Sequence, residues 1–250
     1  MKKKRGAFFI GTSNVVIPGN KQTFPDNFKE SSRLQYYGSL FNSVEINSSF
    51  YKIPLPRTFA RWAAEVPDAF RFSIKLWKEI THCKGLNCDL TNIPRFLEAA
   101  VHMGDKMGPL LIQFPGKIDM TYYNELEQIL ETVAKYNAPV SVRMAVEFRH
   151  PGWYERETME LLDEYGAAVV LHDIPKSKNR ESLSSAPFVY LRFHGTKGDY
   201  RGSYSDEELS EYADNIRDWL KGGKDVYAYF NNTIGSAFEN AMQLRKMIET

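Results

Sequence analysis

The 250-residue sequence lacks the features of several specialised protein classes. It has only two cysteines, too few for the framework of a disulfide-rich secreted domain. No apolar run approaches the roughly 18 residues of a membrane-spanning helix. Its 32 basic and 31 acidic residues nearly cancel, so it lacks the basic excess of general nucleic-acid or membrane-surface binders. We therefore expect a cytoplasmic globular protein that acts on a small molecule, with neither a membrane nor nucleic acid as a partner.

Two short segments resemble targeting or metal-binding elements, and both fall short of them. Residues 1–6 are basic like the start of a signal peptide, but the apolar stretch that follows ends at Ile10. We expect a short basic tail before the first strand. Cys83 and Cys88 lie near His82, yet a structural zinc site needs four ligands and no fourth is in view. We expect two free thiols in a loop and predict no cofactor.

Short apolar runs rich in β-forming residues recur about every thirty residues, the length of a βαβ unit. No Ser/Gly linker or charge block divides the chain. The eight predicted strands are Ala7–Thr12, Ser43–Asn47, Phe70–Lys75, Pro109–Phe114, Met144–Arg149, Ala168–Asp173, Pro187–His194 and Asp225–Asn231.

Helical patterns lie between most of these runs. The spacing of apolar residues predicts helices around Arg57–Glu65 and Tyr122–Tyr136, and a capping box at Ser205 opens another that ends near Leu220. The sixth unit is weak, since Lys176–Ser185 is polar and fits a loop or one helical turn. Eight alternations in 250 residues predict an α/β fold, a single-domain (β/α)₈ TIM barrel over residues 1–250. The competing doubly wound sheet usually carries Gly-x-Gly-x-x-Gly after its first strand, which is missing here.

Side chains point alternately to the two faces of a strand, and near the ends of the predicted strands the polar residues lie on the face opposite to the apolar one. In a barrel this polar face points inward, and the strand ends meet at the C-terminal mouth, where barrel enzymes have their active sites. An ion-pair plug is the alternative, but desolvating so many charges costs several kcal/mol each, which favours a functional site. The residues are Glu45, Asn47, Lys75, Gln113, Glu147, Arg149, Asp173, Arg192, His194 and Asn231.

Three acids face three permanent cations in this set, a balance that favours acid–base chemistry or binding of an anion over a dedicated metal site. Glu45 or Glu147 could act as a general base and His194 as a proton carrier. Lys75 could form a Schiff base, although an ion pair is its simpler role. The predicted catalytic residues are Glu45, Lys75, Glu147, Asp173 and His194. The predicted substrate-binding residues are Asn47, His82, Gln113, Arg149, His150, Arg192, Asn231 and Asn232.

Two glycine-containing loops follow the seventh and eighth strands, where this fold often binds phosphate. The first is basic and includes Gly195 and Lys197. The second, with Gly235 and Ser236, leads into the last helix. We predict that these four residues bind an anion.

Several motifs resemble those of the YecE-like family. They are Gly11-Thr-Ser13, Phe41–Tyr51, Ile80-Thr-His82, Gly104–Pro115, Val146–Trp153, Tyr190–Gly195 and Tyr229–Asn232. The resemblance runs from about Ala7 to the last helix and implies a TIM barrel in a family of unknown function. One departure is Asn14–Gly19, where the family usually has an aromatic-rich stretch.

Three functions follow from these observations. The first is a metal-free or metal-optional barrel enzyme acting on a small polar substrate, phosphorylated or sugar-like, as a hydrolase, lyase or isomerase. The second is a metal-dependent barrel of the sugar-isomerase or phosphodiesterase kind, with Glu45, Glu147, Asp173 and His194 as ligands. The third is a non-catalytic scaffold in which Tyr36, Tyr37 and Trp153 mark a partner surface. The oligomeric state is left open.

Overall fold

In the computed structural model, which describes residues 4–136, 142–181 and 184–249, eight parallel strands form a nearly closed barrel. The predicted TIM-barrel fold is confirmed, with every predicted strand present and most bounds shifted by one or two residues. The strands are β1 (Phe8–Thr12), β2 (Ser43–Ile46), β3 (Arg71–Lys75), β4 (Met107–Phe114), β5 (Met144–Phe148), β6 (Ala168–His172), β7 (Phe188–Phe193) and β8 (Asp225–Phe230).

Strands β2 to β8 pair in sequence order, and β1 pairs with β8. The seam between β1 and β2 is closed differently, by one bridge at Ser13–Glu45 and by side chains. Asn42 accepts the Ile10 N–H at 2.9 Å and donates to the Phe8 carbonyl at 2.7 Å. It therefore supplies hydrogen bonds that a backbone ladder supplies elsewhere.

The seam brings the β1 backbone very close to its neighbour at Gly11. A Cβ atom there would lie 2.0 Å from the Ser43 carbonyl oxygen and 2.5 Å from the Tyr37 hydroxyl. That hydroxyl also accepts the Thr12 N–H at 2.7 Å. Only glycine fits this position, which explains the first residue of the Gly-Thr-Ser motif.

Helices surround the strands and cover their apolar outer faces. The predicted capping box is present. The Ser205 hydroxyl accepts the N–H of Glu208 at 3.2 Å, and the Glu208 carboxylate accepts the N–H of Ser205 at 2.9 Å. The helices are α1 (Arg33–Leu40), α2 (Ser48–Tyr51), α3 (Pro56–Ala64), α4 (Lys78–Thr81), α5 (Asn92–Ala100), α6 (Tyr123–Ala134), α7 (Arg156–Glu164), α8 (Asp206–Lys221) and α9 (Ala237–Glu249).

The sixth unit has no helix in the described parts of the connection from β6 to β7, as its polar composition predicts. Asn179 instead forms a short bridge back to His172. Residues 1–3 of the predicted basic tail lie outside the described residues. In the described ranges no helix is long and apolar enough to cross a membrane.

The buried core has two layers. The larger one lies between the strands and the helices, and the smaller one fills the barrel with residues such as Leu111, Val170, Tyr190 and Tyr229. Parity therefore sorts most strands as predicted. Strand β6 is the exception that parity left unresolved: its inward residues are Ala168, Val170 and His172, whereas Asp173 lies just beyond the strand.

Two sequence-based expectations are wrong. Cys83 and Cys88 are joined in a disulfide with Cα atoms 5.7 Å apart, so they are not free thiols. The loop returns on itself within five residues and so brings them into bonding distance. Tyr37 and Trp153, expected to be exposed in the scaffold hypothesis, are fully buried in the core, and Tyr36 is half-buried against Phe24.

Candidate functional site

Polar side chains meet at the C-terminal mouth of the barrel because they end the strands or follow them directly. Asn47, Arg149, His194 and Asn231 each come one residue after a strand, and Lys75 is the last residue of β3. Because the strand ends meet at the mouth, these side chains surround one part of the barrel opening, as predicted.

Arg192 lies at the centre of this region and is almost completely buried. Its Nε and Nη2 atoms donate to the two Glu45 carboxylate oxygens at 2.9 and 2.8 Å. Ser13 and Tyr190 donate to the same carboxylate at 2.7 and 2.8 Å. Burial alone would raise the pKa of Glu45, but attraction to Arg192 and these hydrogen bonds outweigh burial and hold the pKa below its usual range.

Glu147 is the second buried acid and lies between two arginines. Arg192 Nη1 donates to its Oε2 at 2.5 Å, and Arg149 Nε donates to its Oε1. Burial opposes ionisation, but the two guanidinium groups hold the pKa of Glu147 well below its usual range. Both glutamates are therefore anionic at neutral pH, and their oxygens are occupied by permanent cations.

His194 is buried beside the two arginines. Its Nε2 atom lies 3.2 Å from a guanidinium nitrogen of Arg149 and 3.2 Å from one of Arg192. A guanidinium group can only donate, so Nε2 accepts and the proton of the neutral ring lies on Nδ1. Nδ1 is 3.3 Å from Oδ1 of Asp173. Burial, together with the two arginines, lowers the pKa of His194 to about 4, so the ring is neutral at pH 7.

Asp173 lies behind His194 and holds the chain in place. It accepts the backbone N–H of His194 at 2.9 Å and the hydroxyl of Tyr204. Burial raises the pKa of Asp173, but the bonds from His194 and Tyr204 outweigh that effect and lower it. Asp173 therefore positions the residue after β7.

A cavity of about 580 Å³ opens above this buried network, within the usual range for small-molecule sites. Its wall combines three cations, several neutral polar groups and three aromatic rings, with no acid among the described residues that line it. The lining residues are Asn14, Asn47, Ser48, Phe50, Tyr51, Lys75, Gln113, Arg149, Arg192, Tyr200 and Asn231.

The positions of Glu45, Glu147 and His194 bear on their predicted catalytic roles. All three are fully buried beneath the cavity, and arginine side chains occupy the atoms that would take a proton. In this arrangement the two glutamates hold Arg192 and Arg149 at the cavity, and a direct catalytic role for any of the three stays a prediction.

The residues predicted as metal ligands in the metal-dependent alternative do not form a suitable set of donor atoms here. A cation bound by Glu45, Glu147 and His194 would lie against the guanidinium groups of Arg149 and Arg192, which already occupy those donors. No group of three or more His, Cys, Asp or Glu residues suited to a metal ion is found within residues 4–136, 142–181 and 184–249.

Three predicted substrate-binding residues lie away from the cavity wall. His82 is exposed and packs edge-on against Phe50 with ring centroids 4.8 Å apart, so it contacts the wall without lining the cavity. His150 accepts the Gly152 N–H at 3.2 Å and caps a turn. Asn232 donates to Asn240 at 3.1 Å and ties the last loop to α9.

The predicted anion-binding loops use their N–H groups within the protein. Gly195 donates to the Tyr204 hydroxyl at 2.7 Å. Gly235 donates to the Asn232 carbonyl at 2.9 Å, and Ser236 donates to that of Gly202 at 3.1 Å. Lys197 is exposed and does not line the cavity. The cationic side chains of the wall, rather than these loops, are therefore placed to meet an anion.

Sequence reasoning missed several residues of the site. Phe50, Tyr51 and Tyr200 supply the aromatic part of the wall, and the first two fall within a motif of the family resemblance. His172 also escapes selection by parity, because Asp173 has the same parity as the apolar residues Val169 and Leu171, so the predicted sixth strand does not sort cleanly. Strict alternation from Ala168 would have identified His172, whose Nε2 lies 3.0 Å from the Tyr154 hydroxyl.

Comparisons with known proteins agree with this architecture. The profile of the family described as "Protein of unknown function DUF72" matches residues 9–250. The UPF0759 protein YunF of Bacillus subtilis (strain 168) is 23% identical over 266 residues, covering 90% of each chain. A crystal structure of a DUF72 family protein from Thermotoga maritima MSB8 is 27% identical with a TM-score of 0.79, covering 98% of this chain and 100% of that one.

A more distant barrel shows how widely the architecture is shared. The xylose isomerase domain containing protein of Salmonella typhimurium LT2 is 12% identical with a TM-score of 0.56, covering 100% of this chain and 98% of that one. At this identity the likeness concerns the fold alone.

Proposed function

The chain belongs to the DUF72 family of unknown function, and from the cavity at its barrel mouth we propose that it binds and transforms a small, polar, anionic molecule, phosphorylated or sugar-like. The observation that carries the proposal is the charge of the wall. Lys75, Arg149 and Arg192 line the cavity, whereas Glu45 and Glu147 are buried beneath it. A ligand therefore meets cations and no exposed carboxylate among the described lining residues.

The remaining wall suits a polyhydroxylated ligand. Gln113, Asn47 and Asn231 present amide groups that can donate to or accept from hydroxyl groups. The Oδ1 atom of Asn47 is buried and has no hydrogen-bond partner among the described residues, so it is free to accept from a ligand. Phe50 and Tyr51 offer flat apolar faces for a ring.

Lys75 is the group best placed to carry protons in this cavity. Burial and the nearby charge of Arg192 lower the pKa of Lys75 to about 8, close to neutral pH, where a general acid or base works best. We therefore assign acid–base chemistry to Lys75, with Arg149 and Arg192 holding the anionic group. A cytoplasmic location, where such metabolites are abundant, is part of the same proposal.

The proposal is tested by titrating the protein with inorganic phosphate and with a panel of sugar phosphates and sugar acids. We expect Arg149→Ala to weaken binding at least about tenfold, because a charge-assisted bond to an anion contributes about 1.5–3 kcal/mol. Arg61→Ala is the control, since Arg61 on α3 exposes 68% of its side chain and lies outside the cavity wall. No binding by any panel member, or equal affinity in both variants, contradicts the proposal.

A further inference from the structure

Lys75 differs from the other charged residues of the site in having no acid beside it. Its Nζ atom donates to Gln113 Oε1 at 2.8 Å and lies 4.1 Å from the centroid of the Phe50 ring. Among the described residues no carboxylate lies within 4 Å of this amine. In place of the expected ion pair, Lys75 therefore has a hydrogen bond to a neutral amide and a contact with the face of an aromatic ring.

The reason is that arginine side chains already pair with the two buried glutamates. Both oxygens of Glu45 are held by Arg192, and those of Glu147 are shared between Arg192 and Arg149. Two carboxylates thus neutralise two guanidinium groups, and the neutral His194 adds no charge. The third acid, Asp173, accepts the backbone N–H of His194 and the hydroxyl of Tyr204. Among the described residues that line the cavity, Lys75 is therefore the cation without a carboxylate partner, which favours its unprotonated form.

Resting on the proposed function, we infer that Lys75 is a nucleophile that forms an imine with a carbonyl group of the anionic substrate. The neutral amine attacks the carbonyl carbon and forms a C–N bond. The carbonyl oxygen then leaves as water with the two protons of the amine, and a C=N bond remains. Arg149 and Arg192 hold the anionic group, and Gln113 orients Nζ.

The charges around Lys75 support this reactivity. Burial and Arg192 lower the pKa of Lys75, Glu147 and Glu45 raise it, and Arg149 lowers it again, with a result of about 8. His82, which follows α4, also senses the charge of Lys75: burial and then Lys75 lower the pKa of His82 to about 4, so it is neutral. About half of the Lys75 side chains are therefore free amines at pH 8, against less than about 1% of ordinary lysines.

The test uses two aldehydes on the full chain, pyridoxal 5′-phosphate as an anionic probe and propionaldehyde as a neutral one, each trapped with cyanoborohydride. Peptide mass spectrometry measures the rate of labelling at every lysine. We expect Lys75 to react at least about tenfold faster than exposed Lys221 with both probes, fastest with the phosphorylated one. Inorganic phosphate should protect Lys75 and leave Lys221 unprotected.

Two variants separate reactivity from simple exposure. Lys75→Arg keeps the positive charge, so the variant should lose the fast labelling at position 75 while its other lysines react as in wild type. Gln113→Glu places a carboxylate 2.8 Å from the amine in place of the amide oxygen, raises the pKa of Lys75, and should slow its labelling at pH 7.5 about tenfold with a matching shift of the pH profile.

The outcomes distinguish the two proposals. Phosphate binding without preferential labelling of Lys75 overturns the imine inference and leaves the anion pocket standing. Preferential labelling of Lys75 by propionaldehyde, with neither protection by phosphate nor preference for the phosphorylated aldehyde, supports the nucleophilic amine and contradicts the anion pocket. An unchanged pH profile in Gln113→Glu also counts against the inference.

Discussion

Arg192 holds the Glu45 carboxylate through two parallel hydrogen bonds, from Nε to Oε2 at 2.9 Å and from Nη2 to Oε1 at 2.8 Å. The two residues are 147 positions apart in the chain, so this pair joins β2 to β7 across the barrel interior. Such bidentate pairs are among the stronger polar contacts in proteins. The same guanidinium group also reaches Glu147, so one side chain compensates two buried acids.

We expect Arg192→Ala to lower the free energy of unfolding by at least about 3–5 kcal/mol, since it leaves two buried carboxylates without their main partner. Urea denaturation measures this change. Arg61→Ala, which removes an exposed ion pair, should cost less than about 1 kcal/mol. A loss below about 1 kcal/mol in Arg192→Ala would show that the ion pairs do not support the barrel.

Acid should destabilise the protein through Glu45 and Glu147. Their folded-state pKa values are depressed, so their stabilisation is present above the unfolded value near 4.5 and is lost as pH falls below it. We expect Glu45→Gln to be less stable than wild type at pH 7, and the two free energies of unfolding to converge as the pH falls below about 4.5. Parallel pH curves for wild type and variant would contradict this assignment, with Glu131→Gln on α6 as the exposed control.

His194 should be neutral with its proton on Nδ1 at pH 6. Its folded pKa of about 4 lies below the unfolded value of 6.5, so the unfolded chain binds more protons between these values. The contribution of His194 to stability therefore falls as pH drops from 6.5 to 4. Nitrogen-15 NMR of the histidine rings, with His194→Gln for assignment, reads the tautomer directly. A protonated ring or the Nε2–H tautomer at pH 6 would be incompatible with the two arginine contacts.

Replacing Lys75 by methionine should stabilise the protein at pH 7 by about 1–2 kcal/mol, because the folded state holds a cation whose pKa is lowered to about 8. The unfolded chain binds more protons between pH 8 and 10.5, so wild-type stability rises through that window and Lys75→Met lacks the rise. Urea midpoints at pH 7 and pH 10 measure both effects. Lys221→Met, at a side chain 72% exposed, is the control. A destabilised Lys75→Met protein would contradict the conclusion that burying Lys75 without a carboxylate partner costs stability.

Removing the Cys83–Cys88 bridge should cost about 2 kcal/mol, the loop-closure value for so short a ring. The double change Cys83→Ser with Cys88→Ser should match wild type measured with dithiothreitol, and the variant itself should not respond to the reductant. Titration of the native protein with a thiol reagent gives an independent reading. Two reactive thiols before reduction would show that the bridge is not formed.

Much of the barrel follows from local sequence. Alternating apolar residues identify strands such as β7, and the Ser205 capping box identifies the start of α8, because both depend on neighbours within a few residues. The start of β4 was placed two residues too late, at Pro109 and not Met107, because Gly-Pro is also a common turn sequence. The disulfide was missed because spacing alone does not show that a loop turns back on itself.

The site was predictable as a set of residues but not as an arrangement. Parity places Glu45 and Arg192 inside the barrel, yet only the closed structure shows that they pair across 147 residues and are buried together. The sequence therefore predicted acids and cations sharing one mouth. In the structure the pairing buries the acids and leaves Lys75 and Arg149 at the cavity, because long-range contacts decide which charge is covered.

The ion-pair layer and the aromatic part of the cavity wall are built from different parts of the chain. Glu45, Glu147 and Arg192 belong to strands or strand ends, whereas Tyr51 and Tyr200 belong to the segments above them. Substitutions at Tyr51 and Tyr200 can therefore change the shape of the cavity rim without removing a member of the ion pairs below. Changes in the shape of the cavity rim and changes in the stability of the buried ion pairs are therefore separable by mutation.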